Sequence, residues 1–201
     1  NVNLKSPGVG KPCAALYYII EAESMWAMFL LPVGSCPDLA ALRSPRVVSS
    51  FNDTSLTGFW YESAFIDVAQ VGATCQTLNG SRAASGVVSM DFKVRYGPVP
   101  FTIIELYTPG MQAGLYTKRA KMPGGKLLEL ATAVVDVDPE TLILFSCLDL
   151  VATHVQELVV ATRTPAPASN VTDALLARAR ALGVPFTDTS VKRVDHSHCA
   201  R

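Results

Sequence analysis

The sequence predicts an all-β protein with flanking helices. It reads as an eight-stranded antiparallel up-and-down β-barrel, with one C-terminal helix on its exterior and an apolar helical arm at its N-terminal side. Three observations carry this reading. Between residues 59 and 163, eight short segments rich in β-branched and aromatic residues follow one another, separated by turn-forming clusters. One of them alternates cleanly: Val88, Met90, Phe92, Val94 and Tyr96 are interleaved with Ser89, Asp91, Lys93 and Arg95, so one face is buried. The connections have hairpin length, which makes sequence neighbours antiparallel partners. Eight such strands close without exposed edges and leave an interior able to hold one small ligand.

In chain order, residues 1–12 carry Pro7, Gly8, Gly10 and Pro12 and read as irregular. Ala14 to Leu31 is apolar nearly all round, with Glu21, Glu23 and Ser24 in its middle. Its 18 residues are at the short limit for a membrane span, and two carboxylates at mid-depth are costly there. The segment reads instead as a helix that lies on something: the barrel, a partner protein or a membrane surface. Tyr17, Tyr18, Ile20, Trp26 and Phe29 are its docking candidates. Residues 1–50 are thus taken as an arm with an apolar helix and a loop, and 51–201 as the barrel with its helix and tail.

A loop runs from Cys36-Pro37-Asp38 through Pro45 to Ser50, and the turn-like run Asn52–Thr57 leads to Gly58. Strands are expected at Phe59–Val68, Thr74–Asn79, Val87–Tyr96, Phe101–Thr108, Gly114–Lys121, Leu127–Val137, Leu142–Leu150 and His154–Arg163. Breaks between strands are read at Asn79-Gly80, Gly97-Pro98, Pro109-Gly110, Pro123-Gly124-Gly125 and Asp138-Pro139. After the stiff link Thr164-Pro165-Ala166-Pro167, Asn170 or Thr172 can cap a helix over Ala174–Leu182, stopped by Gly183 and Pro185. Leu175, Leu176, Ala179 and Leu182 form its apolar stripe, while Arg178 and Arg180 face water. The tail from Val184 reads as extended.

Composition narrows the function classes. Of 201 residues, 49% are hydrophobic and 17% charged, and the mean hydropathy is +0.28. Such a chain can bury a core and still have apolar surface for a partner or membrane. Seventeen basic residues balance seventeen acidic ones, which argues against a nucleic-acid binder. None of the five cysteines, Cys13, Cys36, Cys75, Cys147 and Cys199, forms C-x-x-C, so structural zinc and thioredoxin-like chemistry are not indicated. Their wide spacing suggests two disulfides and a spare thiol, hence an oxidising compartment: secretion, or an organelle lumen such as that of the thylakoid. Sequons at Asn52, Asn79 and Asn170 point the same way. No intact targeting peptide is visible, and the start at Asn1 suggests a processed product. Gly8-Val9-Gly10 and Gly124-Gly125 lack the strand–turn–helix context of a phosphate loop. Asp195-His196-Ser197 are chain neighbours, whereas a catalytic triad is spatial.

Gly58, Trp60, Tyr61 and Glu62 open the first strand; seven strands, Arg163, one helix and a cysteine-bearing tail follow. In this order the chain resembles the lipocalins, and most of all their apolipoprotein D and bacterial lipocalin branch, over about residues 36 to 199. The resemblance implies that Gly58 permits a tight opening of the strand, that Trp60 plugs the closed end, and that Arg163 packs across it. Asp136 or Asp138 falls near the family's Thr-Asp-Tyr block, whose Tyr is absent here. The resemblance also implies the pairs Cys36–Cys147 and Cys75–Cys199. Cys13 and the arm before Cys36 have no counterpart. With Cys199 paired and no carboxylate cluster beside it, His196 and His198 are not read as a metal site. The isomerases of that family use a barrel-lining thiol, for which no cysteine is free here, so the chain is not read as an enzyme. No cofactor is required, and a bound lipid or pigment is compatible.

The interior is expected to be lined by Val88, Met90, Phe92 and Val94, and by alternation by Phe101, Ile103, Leu142 and Leu144. These either surround a cavity or fill it. An apolar pocket with few polar groups would suit a fatty acid, retinoid, carotenoid or other pigment. Carriage of such a ligand is the first functional reading, and it predicts an open calyx. The alternative is an accessory or scaffold subunit of a membrane-associated assembly, such as a photosynthetic complex, docked through residues 14–31. It predicts a plugged barrel.

Overall fold

Ser44 starts the first regular element. Its hydroxyl accepts from the Val47 amide at 3.3 Å, and Pro45 supplies a preset first helical residue, so a short helix, α1, forms over Pro45–Ser50. Asn52 does the same for the 3₁₀ turn Asp53–Leu56, accepting from Thr54 N at 2.9 Å. Gly58, at φ +83°, then turns the chain into the first strand, a backbone conformation that favours glycine.

The computed structural model describes residues 35–121, 127–151 and 153–199. Tyr17, Tyr18, Ile20, Trp26, Phe29 and Cys13, together with the expected docking helix, lie outside these residues. The strands are β1 (Gly58–Ile66), β2 (Ala73–Arg82), β3 (Val88–Tyr96), β4 (Val99–Pro109), β5 (Leu115–Lys121), β6 (Leu127–Val137), β7 (Thr141–Asp149) and β8 (His154–Thr162). Helix α2 follows over Ser169–Ala181, and a two-residue strand β9, Lys192–Arg193, pairs with β1. All pairings are antiparallel, in the order β2 to β8 and then β1, and β1 also pairs with β2. The sheet therefore closes into an eight-stranded barrel.

The expected strands are all present, with ends that match or differ by up to three residues, but two local readings are corrected. Asn79-Gly80 is not a hairpin turn. Both residues lie inside β2, opposite Asp91 and Met90, and the turn comes later, where Gly86 N bonds Ala83 O and Ala83 N bonds Val87 O. Glycine is required at position 80 because the chain before β1 crosses it: a Cβ there would sit 2.2 Å from the Leu56 carbonyl oxygen. The C-terminal helix begins at Ser169, earlier than Ala174, and neither Asn170 nor Thr172 caps it. Thr172 is buried in its first turn, so packing on the barrel outweighs the weak helix propensity of Ser-Asn-Val-Thr.

Two apolar clusters hold the fold. One is inside the barrel and contains Trp60, Leu78, Val88, Met90, Phe92, Val94, Val134, Leu142 and Leu144. The other lies on the outer wall, where Ile143, Phe145, Leu158 and Val160 meet Leu175, Leu176 and Ala179 of α2. The disulfides Cys36–Cys147 and Cys75–Cys199 are both formed, at sequence separations of 111 and 124. They pin the N-terminal lead to β7 and the tail to β2.

Candidate ligand site in the barrel

The topology defines two ends. The β2–β3, β4–β5 and β6–β7 turns and the lead into β1 share one end; the β1–β2, β3–β4, β5–β6 and β7–β8 connections share the other. The first end is closed. Trp60 is fully buried there, its indole N–H donates to Leu56 O at 3.2 Å, and the Arg163 guanidinium lies 3.3 Å over its ring. Arg163 also donates to Phe59 O at 2.8 Å, Thr57 O at 2.9 Å and Pro139 O at 3.2 Å. One cation thus ties three segments across the indole. Beside it, the buried Asp136 carboxylate accepts from Ser44 Oγ at 2.7 Å and pairs with Arg46 at 3.0 Å and Arg178 at 2.7 Å, joining the lead and α2 to β6. Open clefts of about 430 and 370 Å³ flank this end, one beside Arg163 and one beside Tyr116.

Above the floor, the expected lining residues fall as follows. Val88, Met90, Phe92 and Val94 of β3 are buried in the inner cluster, as are Leu142 and Leu144 of β7. Ile103 packs partly buried against the same cluster. Phe101 shares the Val94 face but sits at the rim, 39% exposed and edge-on to Tyr96.

The expectation of few polar groups inside does not hold. A polar belt crosses the barrel between the floor and the mouth. Lys118 of β5 bonds Glu105 of β4 at 3.3 Å and forms a short ion pair with Glu157 of β8. Tyr107 donates to the other Glu105 oxygen at 2.7 Å. Thr132 and Ser146 bond each other at 2.8 Å. Burial alone would pull the Lys118 ammonium down, yet the charges of Glu105 and Glu157 hold it well above the ordinary lysine value, so it stays protonated. Burial, then the Glu105 charge, pushes the Tyr107 phenol far up and keeps it a donor.

Glu62 of β1 lies in the same interior and is wholly buried, and neither of its carboxyl oxygens has a hydrogen-bond partner. Burial pushes its carboxyl well above the usual carboxylate range; Glu105 and then Asp67 add to this, while Lys118 opposes it. Gln76 of β2 is equally buried, with both amide atoms unpartnered. The β1–β2 register runs from Gly58 against Gly80 to Tyr61 against Thr77 and ends there, one residue short of Glu62 and Gln76 in their strands. Asp67 and Gln70 come from the β1–β2 connection. Asp67 caps the 3₁₀ turn at Val68–Gln70, and the buried Gln70 keeps an unpartnered amide oxygen.

Sequence reasoning quoted Glu62 as part of a signature and passed over Glu105, Lys118 and Glu157. Strand parity was the available signal: Glu62 shares its face with Trp60, and Glu105 with Ile103 and Tyr107. The interior combines apolar side chains with charged and hydrogen-bonding groups. No group of three or more metal-ligating side chains occurs among the described residues.

Solved structures agree with this architecture. Lobster apocrustacyanin A1 superposes with a TM-score of 0.65 at 14% identity, over 81% of this chain and 89% of its own. Insecticyanin of the tobacco hornworm Manduca sexta gives 0.65 at 15% identity, over 83% and 88%. Apocrustacyanin C2 gives 0.64 at 14%, over 81% and 89%. The fold is lipocalin-like. No family model and no curated protein matches the sequence, and identities this low speak for the lipocalin fold alone. Within that fold, Trp60 and Arg163 occupy the closed end as the resemblance implied, and both disulfides join the implied cysteines.

Proposed function

We propose that this lipocalin-fold protein binds and carries a small hydrophobic molecule inside its barrel. The observation that supports this reading is the set of apolar side chains at the mouth and, beside the polar belt, down to the Trp60 floor. Exposed apolar side chains stand at each of the four connections of this end or at the strand end beside it: Val68 and Val71, Val99 and Phe101, Leu127, and Leu150 and Val151. Exposed apolar groups gathered around one opening mark a contact surface for apolar matter. Below them lie Phe92, Met90, Leu144 and finally the Trp60 indole. The crustacyanin subunits are described as apoproteins, which supports a bound group as part of this architecture's use. Val88, Met90, Phe92, Val94, Ile103, Leu142 and Leu144 are the proposed contacts, with Phe101 at the rim.

Two disulfides place the folded chain in an oxidising compartment, and we read it as secreted. Their pairing also supports a position near the apolipoprotein D and bacterial lipocalin branch.

Native mass spectrometry of the purified protein, followed by organic extraction, tests the carrier reading. The expected result is one adduct per chain that is lost on denaturation and recovered in the extract. Absence of any adduct, together with no saturable uptake of a hydrophobic probe by the stripped protein, would count against it.

A further inference from the structure

We propose that the ligand of this barrel carries a protonated amine, or an equally donor-rich cation, on its hydrophobic body, and that Glu62 is its counter-ion. This rests on the carrier reading above. It deepens that reading by fixing the polar end of the ligand.

The first argument is charge. Three carboxyls, Glu62, Glu105 and Glu157, lie in the interior with the ammonium of Lys118, and the partly buried Asp67 of the β1–β2 connection adds a fourth negative charge near Glu62. That ammonium is already used by Glu105 and Glu157, and the Tyr107 hydroxyl is committed to Glu105. His196 stands on the far side of β1, where its ring bonds the Glu62 backbone carbonyl at 2.8 Å, so it offers the Glu62 side chain nothing.

The second argument is hydrogen-bond demand. Buried polar atoms are nearly always partnered, and orphans in a native fold ask for an explanation. The orphans here are the two Glu62 oxygens, the Gln76 amide oxygen and nitrogen, and the Gln70 amide oxygen. Four are acceptors when Glu62 is ionised; only the Gln76 nitrogen donates. The missing partner is therefore rich in donors. An ammonium has three N–H donors and a charge that favours the ionised form of Glu62. A fatty-acid carboxylate would add a fifth carboxyl to the cluster, and an alcohol could meet one acceptor at most as a donor. Glu62 sits two residues along β1 from Trp60 on the same face, so an amine bonded there keeps its apolar body among Phe92, Met90 and Leu144.

A linked proton follows from this geometry. In the empty barrel, burial disfavours the ionised form of Glu62. A docked ammonium favours that form, so a proton held by Glu62 leaves to solvent while the ligand keeps its own.

The experiment uses the full-length protein and three probes with the same chain, dodecylamine, dodecanol and dodecanoate, each below its micelle concentration. Isothermal titration near neutral pH, in two buffers of different ionisation enthalpy, gives affinity and proton release together. Dodecylamine is expected to bind about tenfold or more tightly than the other two, with close to one proton released. Glu62→Gln, the near-isosteric variant, is expected to lose that preference and the proton release. If that variant does not fold, the wild-type preference and proton release carry the test. Equal binding of all three probes overturns the amine but leaves the carrier reading intact. An amine preference that survives Glu62→Gln overturns the role of Glu62. Saturable binding of none of the three overturns both readings.

Discussion

Replacing Arg163 with Met should loosen the closed end of the barrel by about 3 kcal/mol. Methionine keeps an apolar stem against Trp60 and removes the charge and every donor. The guanidinium lies 3.3 Å over the ring centroid, and the indole is wholly buried, so a contact of this kind contributes about 1–2 kcal/mol. Its bonds to Phe59 O at 2.8 Å and Thr57 O at 2.9 Å, with the longer one to Pro139 O, are partly open to solvent. Water can replace part of what is lost, so roughly 1–2 kcal/mol is assigned to the three together. For a domain of this size each kcal/mol moves the melting temperature by about 2–4 °C, which puts the expected drop at roughly 6–12 °C. Arg163→Lys should recover little of it, because a point charge cannot span three carbonyls as a planar fork does. Thermal unfolding followed by circular dichroism, with disulfides intact, measures both. A variant that melts within about 1 °C of wild type would refute the claim that one cation holds this end together.

Four further outcomes follow from other positions. Gly80→Ala places a Cβ 2.2 Å from the Leu56 carbonyl, a backbone atom that cannot step aside; the expected cost by denaturant unfolding is about 2–3 kcal/mol. Gly72→Ala, where no atom lies within 4 Å, should cost about 1 kcal/mol through its positive φ alone. Glu62 carries a folded-state pKa raised above its ordinary 4.5, so the folded chain holds a proton that the unfolded chain gives up. The penalty is absent below about pH 4.5 and grows as pH rises toward the folded value. Chemical denaturation should therefore show Glu62→Gln gaining stability relative to wild type as pH rises above about 4.5, and a pH-independent difference would contradict this. Lys118→Met strands Glu105 and Glu157 and should cost about 3–5 kcal/mol, while adding Glu105→Gln and Glu157→Gln should restore most of it. No recovery in the triple variant would show that the loss is one of packing.

The barrel was legible because its strands announce themselves twice, in alternation and in the turns between them. Val88 to Tyr96 reads correctly from period alone, and it lies where that period places it, inner side chains buried and outer ones partly exposed. Asn79-Gly80 misled because the same dipeptide serves two purposes. A hairpin needs its positive φ; a strand crossed by another chain segment needs its missing Cβ, and only the three-dimensional crossing at Leu56 distinguishes them. The disulfides came from resemblance, since no spacing rule chooses among pairings of five cysteines.

The polar belt was hidden for a different reason. Charged residues in strands ordinarily face water, and Lys118 and Glu157 sit among neighbours of either character, Thr117 and Arg119, Gln156 and Leu158. Their burial becomes evident only when β4, β5 and β8 come together around one axis. Glu62 is different: it shares a face with Trp60, so parity alone places a carboxyl above the floor, and its want of a partner becomes visible only once the barrel closes.

The central claim is that the barrel interior, floored by Trp60, receives a hydrophobic molecule. A Trp26→Phe variant leaves Trp60 as the sole indole of the chain. Titrating it with all-trans-retinol, an uncharged probe that absorbs where indole emits, and following energy transfer from Trp60 tests the claim most directly. Saturation at one probe per chain, weakened when Val94→Phe fills the interior, is the predicted result. Transfer that rises without saturating, or saturation that Val94→Phe leaves unchanged, would place the probe outside the barrel and contradict the claim.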